Sequence, residues 1–451
     1  MTHITDEPLR HLAPHGDLDG DVDEAYLRAT MHALRASSST IAAMTTAAIA
    51  ERLAGVANAW LDAGSDWMER AVSETSRRTG YAPAMVEWSL RELLKRLSPA
   101  SMRALVEAEL GTAEPFQAPR NRQGLPTARG AQPPDLVVQV LAGTVPPVAI
   151  ESIVLALLVR APILVKTSSS EPQVSRLFLE SLRELCPDLA KSVAVLTWAG
   201  GDDVLDSLAA GGASVVSIYG SDASVNAMMH RCIFPTRFLG YGHRVSFGII
   251  GPAHDHVGPA RLPRLAEEIA LDLSAYDQRG CMSPHCLFVS ADAPWTPLQV
   301  GEAVAQHGIP AIADRWPRGP LAGDIASAQQ QARGVAEFAG AEILETESGL
   351  VFVHKETRFQ ASPGGRAIHI IPYTDTESLL AAVSPLHGAI STVGLFHGDP
   401  GLAPVIQGLG RLGARRFCRI GRMQRPIWLR DHDGRPRLGD WVEWTNVEPL
   451  Y

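Results

Sequence analysis

Lysine is nearly absent from this chain. Of 451 residues only Lys95, Lys166, Lys191 and Lys355 are lysine, against many arginines, so each lysine is an informative choice. Cysteine is sparse as well: Cys186, Cys232, Cys281, Cys286 and Cys418 are scattered, odd in number and form no CxxC pair. That argues against a disulfide framework or a zinc site, so no metal is expected, and it suits a reducing cytoplasm. Met1-Thr2-His3-Ile4-Thr5-Asp6-Glu7 is polar and has no apolar core segment, so no signal peptide is expected. The longest apolar runs, such as Ile153 to Val159, are too short to span a bilayer. An excess of positive charge is also missing. The net charge of -9 lacks the basic footprint of a nucleic-acid or membrane-surface binder. What is present is 46% hydrophobic and 20% charged residues, a globular composition at a length that implies two or three domains.

Residues 1 to about 22 read as a loose polar arm. From Glu24 to about Leu110, series such as Ala25, Leu27, Met31, Leu34 and Met85, Trp88, Leu90, Leu93, Leu94, Leu97 recur at helical spacing, with Ser98-Pro99 starting the last helix. Residues 113 to 134, rich in Pro, Gly and Arg, read as a linker or an edge-hugging connection. Strands over Leu136–Leu141, Ile163–Lys166, Ser192–Leu196 and Val215–Ile218 then alternate with helices over Pro147–Arg160, Glu171–Leu185, Asp202–Ala210 and Ala223–Cys232. Continuous apolar strands alternating with helices imply a parallel sheet covered on both faces, with ligands outside the strands' carboxyl ends. Those ends carry Gly143-Thr144, Lys166 to Ser170, Gly200-Gly201-Asp202 and Gly220-Ser221-Asp222. None of them carries GxGxxG, so the usual dinucleotide fingerprint does not apply, but a helix starting after Gly220-Ser221 offers free N–H groups to a phosphate.

After about Tyr241 a second α/β unit follows. It holds strands at Cys286–Val289, Glu342–Leu344, Leu350–Val353, Ile368–Ile371 and Thr392–Phe396, with helices near Pro297–His307, Thr376–Ala382 and Leu402. The tail from Arg416 to Glu448 has an Asp433-Gly434 turn between strand-like segments, and Trp441 to Trp444 alternates like a paired strand. In Leu273–Pro284, Gly280 precedes Cys281 in a turn-like stretch between apolar runs. A thiol there reaches a cleft, and its backbone N–H is free to face an oxyanion. Read from spacing alone, a buried structural thiol is the favoured reading of Cys281, since most intracellular cysteines are small buried hydrophobes.

The stretches Leu141 to Pro146, Val165 to Ser169, Trp198 to Asp202, Tyr219 to Asp222, Gly240 to Gly248, Asp277 to Pro284, Gly421-Arg422-Met423 and His432-Asp433-Gly434 together resemble the aldehyde dehydrogenase superfamily. Within it they resemble the bacterial acyl-CoA reductases of the LuxC type. The resemblance implies an α/β fold of two parallel-sheet domains with a helical N-terminal region and an oligomerisation hairpin or tail. The boundaries expected are 1–112 helical, 113–240 NADP-binding, 241–415 catalytic, and 416–451 a tail returning to the cofactor domain or an oligomer interface.

It further implies Cys281 as nucleophile, Lys166 at the adenosine ribose, and Gly220 and Ser221 at the pyrophosphate. The superfamily's ribose-binding glutamate corresponds to Ser169, beside Ser168, which favours NADPH. The water-activating glutamate of hydrolytic members has no counterpart between Leu239 and His243. The oxyanion-hole asparagine corresponds to Thr144, and His243 with Arg244 could supply a proton or charge. The expected reaction is NADPH-dependent reduction of an acyl-CoA, long-chain fatty by resemblance, to the aldehyde through an S-acyl cysteine. The donor is acyl-CoA or an acylated partner protein; a homo-oligomer is expected, with an acyl-protein synthetase or transferase as a further partner. The alternatives are a hydrolytic NAD(P)-dependent aldehyde dehydrogenase, a cysteine acyltransferase or thioesterase without redox chemistry, and a non-catalytic scaffold subunit.

Overall fold

The structure is a computed structural model that describes residues 22–121, 127–252, 259–396 and 402–448. The polar N-terminal arm therefore lies, except for Val22, outside the described residues. A short pair, β1 (Arg120–Asn121) and β2 (Ala128–Gln132), precedes the first large sheet. That sheet is built from β3 (Val137–Val140), β4 (Ile163–Thr167), β5 (Val193–Thr197), β6 (Val215–Tyr219) and β7 (Arg237–Tyr241). Its order is β5-β4-β3-β6-β7, all parallel. The direction of growth reverses between β3 and β6, so the carboxyl ends of these strands flank a ligand crevice.

Both faces of this sheet are covered, as its apolar strands require. On one face the helix Pro147–Leu158, nearly all buried, is sandwiched beneath helices Thr46–Leu61 and Pro83–Leu94. Trp60 Nε1 donates to Ser181 Oγ at 2.9 Å, tying this helical layer to the sheet's own helix Gln173–Leu185. On the other face Leu27, Met31 and Leu34 of helix Glu24–Ala36 pack with Val138, Val140 and Leu164. The N-terminal helices thus wrap the sheet from both sides. The expected start at Ser98-Pro99 is present: Ser98 Oγ accepts from the Ser101 N–H at 3.2 Å, and Pro99 opens the helix, where its missing donor costs nothing.

The second sheet contains β8 (Val245–Ile250), β9 (Pro284–Ser290), β10 (Glu342–Thr346), β11 (Gly349–Val353), β12 (Ala367–Tyr373), β13 (Ile390–Phe396) and β14 (Arg416–Arg419). Its order is β10-β11-β12-β9-β8-β13-β14, parallel except for β10 against β11. Only Gly242-His243-Arg244 separates β7 from β8, so the chain steps between sheets beside the crevice. Beyond β14 the tail crosses back. Asp433 and Gly434, at φ 50° and 77°, make the expected turn, closed by a single bridge between His432 and Arg435. No hairpin strands flank that turn. β15 (Glu443–Val447) instead pairs antiparallel with β2, in the stretch expected to be a linker.

Candidate active site

Cys281 ends a loop that is strained and held from several sides. Helix Leu262–Ser274 stops at Ala275, and Tyr276, Asp277 and Gln278 follow at φ 55°, 48° and 66°. Each left-handed non-glycine residue costs on the order of 1–3 kcal/mol and persists only where its surroundings over-determine it. Here Asp277 is buried and pairs with the fully buried Arg366 at 2.7 Å, and it also accepts from the Gly319 N–H at 3.3 Å. Gln278 Nε2 donates to the carbonyls of Pro284 (2.9 Å) and Ala367 (2.7 Å), while its Oε1 accepts from the Ala367 N–H at 2.9 Å. Tyr276 is buried with its ring 6.2 Å from that of Tyr81. The Ser283 N–H closes the turn on the Gly280 carbonyl at 3.0 Å, and Ser246 Oγ donates to the Cys281 carbonyl at 2.7 Å. Among the five cysteines only Cys281 is exposed; Cys186 and Cys286 are buried, and Cys232 and Cys418 are half-buried.

The residue is open to solvent but sits in a recess with protein on most sides. That desolvation pushes its thiol up to about 11; the Asp433 carboxylate adds to the rise, while Arg430, the residue's own backbone N–H and Arg244 oppose it. Arg244 and Asp433 lie 3.5 Å apart, and Ser391 Oγ donates to Asp433 at 3.4 Å. The tail thus delivers Arg430 and Asp433 to the cysteine. His432, between them, packs at a tilt against Tyr241 (4.6 Å) and Tyr219 (5.3 Å), which stack on one another at 4.9 Å at the ends of β7 and β6. Glu151, on the helix after β3, ties this tail to the first sheet through Arg437 (2.7 Å) and Arg430 (3.6 Å).

The loop after β3 abuts the cysteine loop. Val145 Cγ2 lies 3.6 Å from where a Cβ on Gly280 would be, and the Thr144 carbonyl accepts from Tyr81 Oη at 2.9 Å. Thr144 itself is exposed. Gly143, at φ 77°, meets the loop after β4: a Cβ there would lie 2.8 Å from both Ser168 Cβ and Ser170 Oγ. That position is closed to any other residue by conformation and by space. Lys166, on β4, is buried; its Nζ lies 5.1 Å from the Trp198 ring, and burial lowers its pKa against the pull of Asp206 and Asp202.

Ser169 is exposed, and its carbonyl accepts from Arg78 at 3.5 Å. The nearby Glu171 is turned inward, where it caps helix Gln173–Leu185 by accepting from the Gln173 and Val174 N–H groups, both at 3.0 Å. Ser221 caps the helix after β6, its Oγ accepting from the Ser224 N–H at 3.2 Å, and Gly220 precedes it. Lys166, Ser168, Ser169, Gly220 and Ser221, the residues expected on the cofactor side, all lie at carboxyl ends of one parallel sheet. A phosphate-bearing nucleotide fits such a set: a glycine cradle, neutral hydroxyls, one buried cation and a capped helix start. One GxGxxG spacing does occur, at Gly408, Gly410 and Gly413, but it lies in the last turn and exit of helix Ala403–Arg411. The phosphate-binding form of the motif opens a helix instead.

His243 is exposed and its backbone N–H donates to Asp222 at 2.7 Å. Its ring lies edge-on to that of His285 at 6.4 Å, and burial, then His243, lower His285 to about 4. On the helix before the cysteine loop Glu267 is exposed, while Glu268 is half-buried and pairs with Arg261 (2.8 Å) and Arg419 (3.1 Å). The residues that sequence reasoning passed over are Tyr81, Glu151, Arg366 and Arg430. None lies in a recognisable local motif; the nearest signal was the His432-Asp433-Gly434 stretch in the tail.

The described backbone follows the aldehyde dehydrogenase fold. It superimposes on a Sinorhizobium meliloti NAD-dependent aldehyde dehydrogenase with TM-score 0.69 at 15% identity, covering 94% of this chain and 86% of that one. It superimposes equally, TM-score 0.69 at 14% identity, on a Pseudomonas syringae aldehyde dehydrogenase solved with NAD+ and octanal, covering 94% and 88%. At that identity the likeness shows the fold alone. The chain belongs to the acyl-CoA reductase (LuxC) family, whose sequence model matches residues 41–444. Relatives include long-chain acyl-protein thioester reductases of Aliivibrio fischeri, 25% identical over 296 residues, and of Vibrio harveyi, 29% identical over 220 residues. Those matches take in 64% and 47% of this chain and span 59% and 44% of the relatives' lengths.

Proposed function

We propose that the protein reduces a fatty acyl thioester to the aldehyde through an S-acyl intermediate on Cys281, with NADPH as reductant. The observation that carries this reading is the exposed Cys281 on a strained, over-determined loop, with the loop after β3 packed against it and a nucleotide-type sheet end alongside. In the first half-reaction Sγ, once deprotonated, attacks the thioester carbonyl. A new C–S bond forms, the oxyanion collapses, and the donor's C–S bond breaks to release a thiol that takes up a proton. The Cys281 backbone N–H, which faces its own sulfur, is the donor best placed for that oxyanion. The reduced nicotinamide, when bound, supplies the hydride for the second half-reaction. The carbonyl oxygen then takes a proton, for which the exposed His243, on the link between β7 and β8, is the candidate, and collapse of the thiohemiacetal frees the aldehyde and restores the thiol.

NADPH is favoured over NADH by the 168–170 loop. It presents hydroxyls, Arg78 lies beside it, and the adjoining Glu171 is turned inward as a helix cap, so residues 168–170 set no carboxylate of their own against a 2′-phosphate. Hydrolytic aldehyde oxidation is disfavoured because Leu239 to His243 includes no carboxylate to activate water. The relatives' names point to an acylated protein as donor; a CoA thioester offers the same carbonyl. Incubation with hexadecanoyl-CoA and NADPH is expected to bleach the NADPH absorbance band with one aldehyde formed per NADPH. Production of NADPH from hexadecanal, NADP and water, with no reverse activity on the thioester, would instead identify a dehydrogenase.

A further inference from the structure

We infer that Asp272 and Gln424 are positioning residues for Cys281, acting through a bracket that locks the root of the tail to the cysteine loop. The inference rests on Cys281 being the nucleophile of the proposed reaction. Asp272, on helix Leu262–Ser274, is fully buried. Its carboxylate accepts from the N–H groups of Gly421 (2.6 Å), Met423 (3.0 Å) and Gln424 (3.4 Å). The opposite side of the same short loop is gripped by a cation: Arg416 donates to the carbonyls of Met423 and Arg422, both at 2.8 Å. One carboxyl group therefore holds the loop's donors and one cation holds its acceptors, so the loop is gripped from both sides.

The bracket reaches the cysteine on both of its following residues. Gln424 Nε2 donates to the Asp272 carbonyl at 3.0 Å and to Ser283 Oγ at 2.9 Å, and Arg416 also contacts Met282 Sδ at 3.5 Å. Ser283 in turn closes the Gly280 turn. Gly421 permits the close fit: it sits at φ 83°, and a Cβ would come within 2.9 Å of Glu268 Cβ. From this root the chain runs on to Arg430 and Asp433, the two tail charges that act on the thiol. A single fixed point thus sets both where Sγ lies and where its charged neighbours lie. Methionine at 424 matches the glutamine in size and removes only its two donated hydrogen bonds.

The test uses full-length protein and the variants Gln424→Met, Ser283→Ala, their double, and Asp272→Asn, with Cys281→Ala as control. The readouts are the rate of Cys281 alkylation by iodoacetamide, the single-turnover acylation rate, NADPH affinity by fluorescence, and Tm. A displacement of the order of an ångström typically costs a reacting pair about 10- to 100-fold in rate. Gln424→Met is expected to slow alkylation and acylation at least about tenfold, with NADPH affinity and Tm held, and to be non-additive with Ser283→Ala. Asp272→Asn, if it folds, behaves likewise. Unchanged rates in Gln424→Met, or losses that simply add in the double, overturn the inference. Retention of thioester reduction by Cys281→Ala overturns the proposed function itself, a separate result.

Discussion

The Asp277 carboxylate and the Arg366 guanidinium meet at 2.7 Å behind the cysteine loop, both buried, and both at residues with left-handed backbone. This pair fixes the middle of the three strained residues that lead to Cys281. Removing one partner leaves the other as an uncompensated buried charge, which typically costs about 3–5 kcal/mol. Arg366→Met is therefore expected to lower stability by that order and to slow acylation of Cys281. The Asp277→Asn/Arg366→Met double should be less destabilised than the sum of the singles. Chemical denaturation of the four proteins checks this; additive losses would mean that the pair does not act as a unit.

The charges around the thiol make a second prediction. Cys281 is held near 11 first by desolvation and then by Asp433. Asp433→Asn removes a charge that disfavours the thiolate and releases Arg244 from its pairing. The pKa should fall, and alkylation at pH 8 should speed up about three- to tenfold, the effect of roughly half to one pKa unit. Arg430→Gln should shift it the opposite way. Alkylation rate against pH gives both values, and equal profiles for the two variants would remove the tail from the site's electrostatics.

Glu151 gives an acid-stability signature. Burial would raise its pKa, but Arg437 and Arg430 reverse that and hold it at about 2. A carboxylate depressed in the folded state stabilises it above the unfolded value, near 4.5, and loses that contribution as pH falls toward 2. The loss is on the order of 3 kcal/mol across that window. Glu151→Gln should be less stable than wild type at pH 7 and should show a flatter stability profile between pH 4.5 and 2. A wild-type profile already flat there would contradict the reading.

Cofactor choice is testable at one exposed position. Ser169→Glu restores a carboxylate where the 2′-phosphate is proposed to lie. The ratio of kcat/KM for NADPH over NADH should fall about tenfold or more, from charge repulsion near the surface. No change in that ratio would place the 2′-phosphate elsewhere.

Much of this architecture was legible in the chain. Apolar runs such as Ile163 to Lys166 and Val215 to Ile218 gave the parallel sheet, because strands buried on both faces read as continuous hydrophobic segments. β7 and β8 were missed for the converse reason. Arg237-Phe238-Leu239-Gly240-Tyr241 is a half-exposed edge strand, and Ser246 and Gly248 interrupt the second run. The helix Glu24–Ala36 was readable as a helix but not as the cover of the opposite sheet face, since periodicity shows that an apolar stripe exists and not what buries it. At the site, Cys281 was singled out by the family resemblance and not by its spacing, which alone favoured a buried structural thiol. Arg366, Glu151 and Arg430 were not singled out, because each acts across a sequence separation far beyond any motif: Arg366 reaches Asp277 from 89 residues away.

The most direct test is the intact mass of the protein after mixing with hexadecanoyl-CoA in the absence of NADPH. Wild type should gain one hexadecanoyl group, lose it when NADPH is added, and yield hexadecanal, while Cys281→Ala gains nothing. An adduct on Cys281→Ala, or thioester reduction with no acyl group ever held on Cys281, would contradict the account.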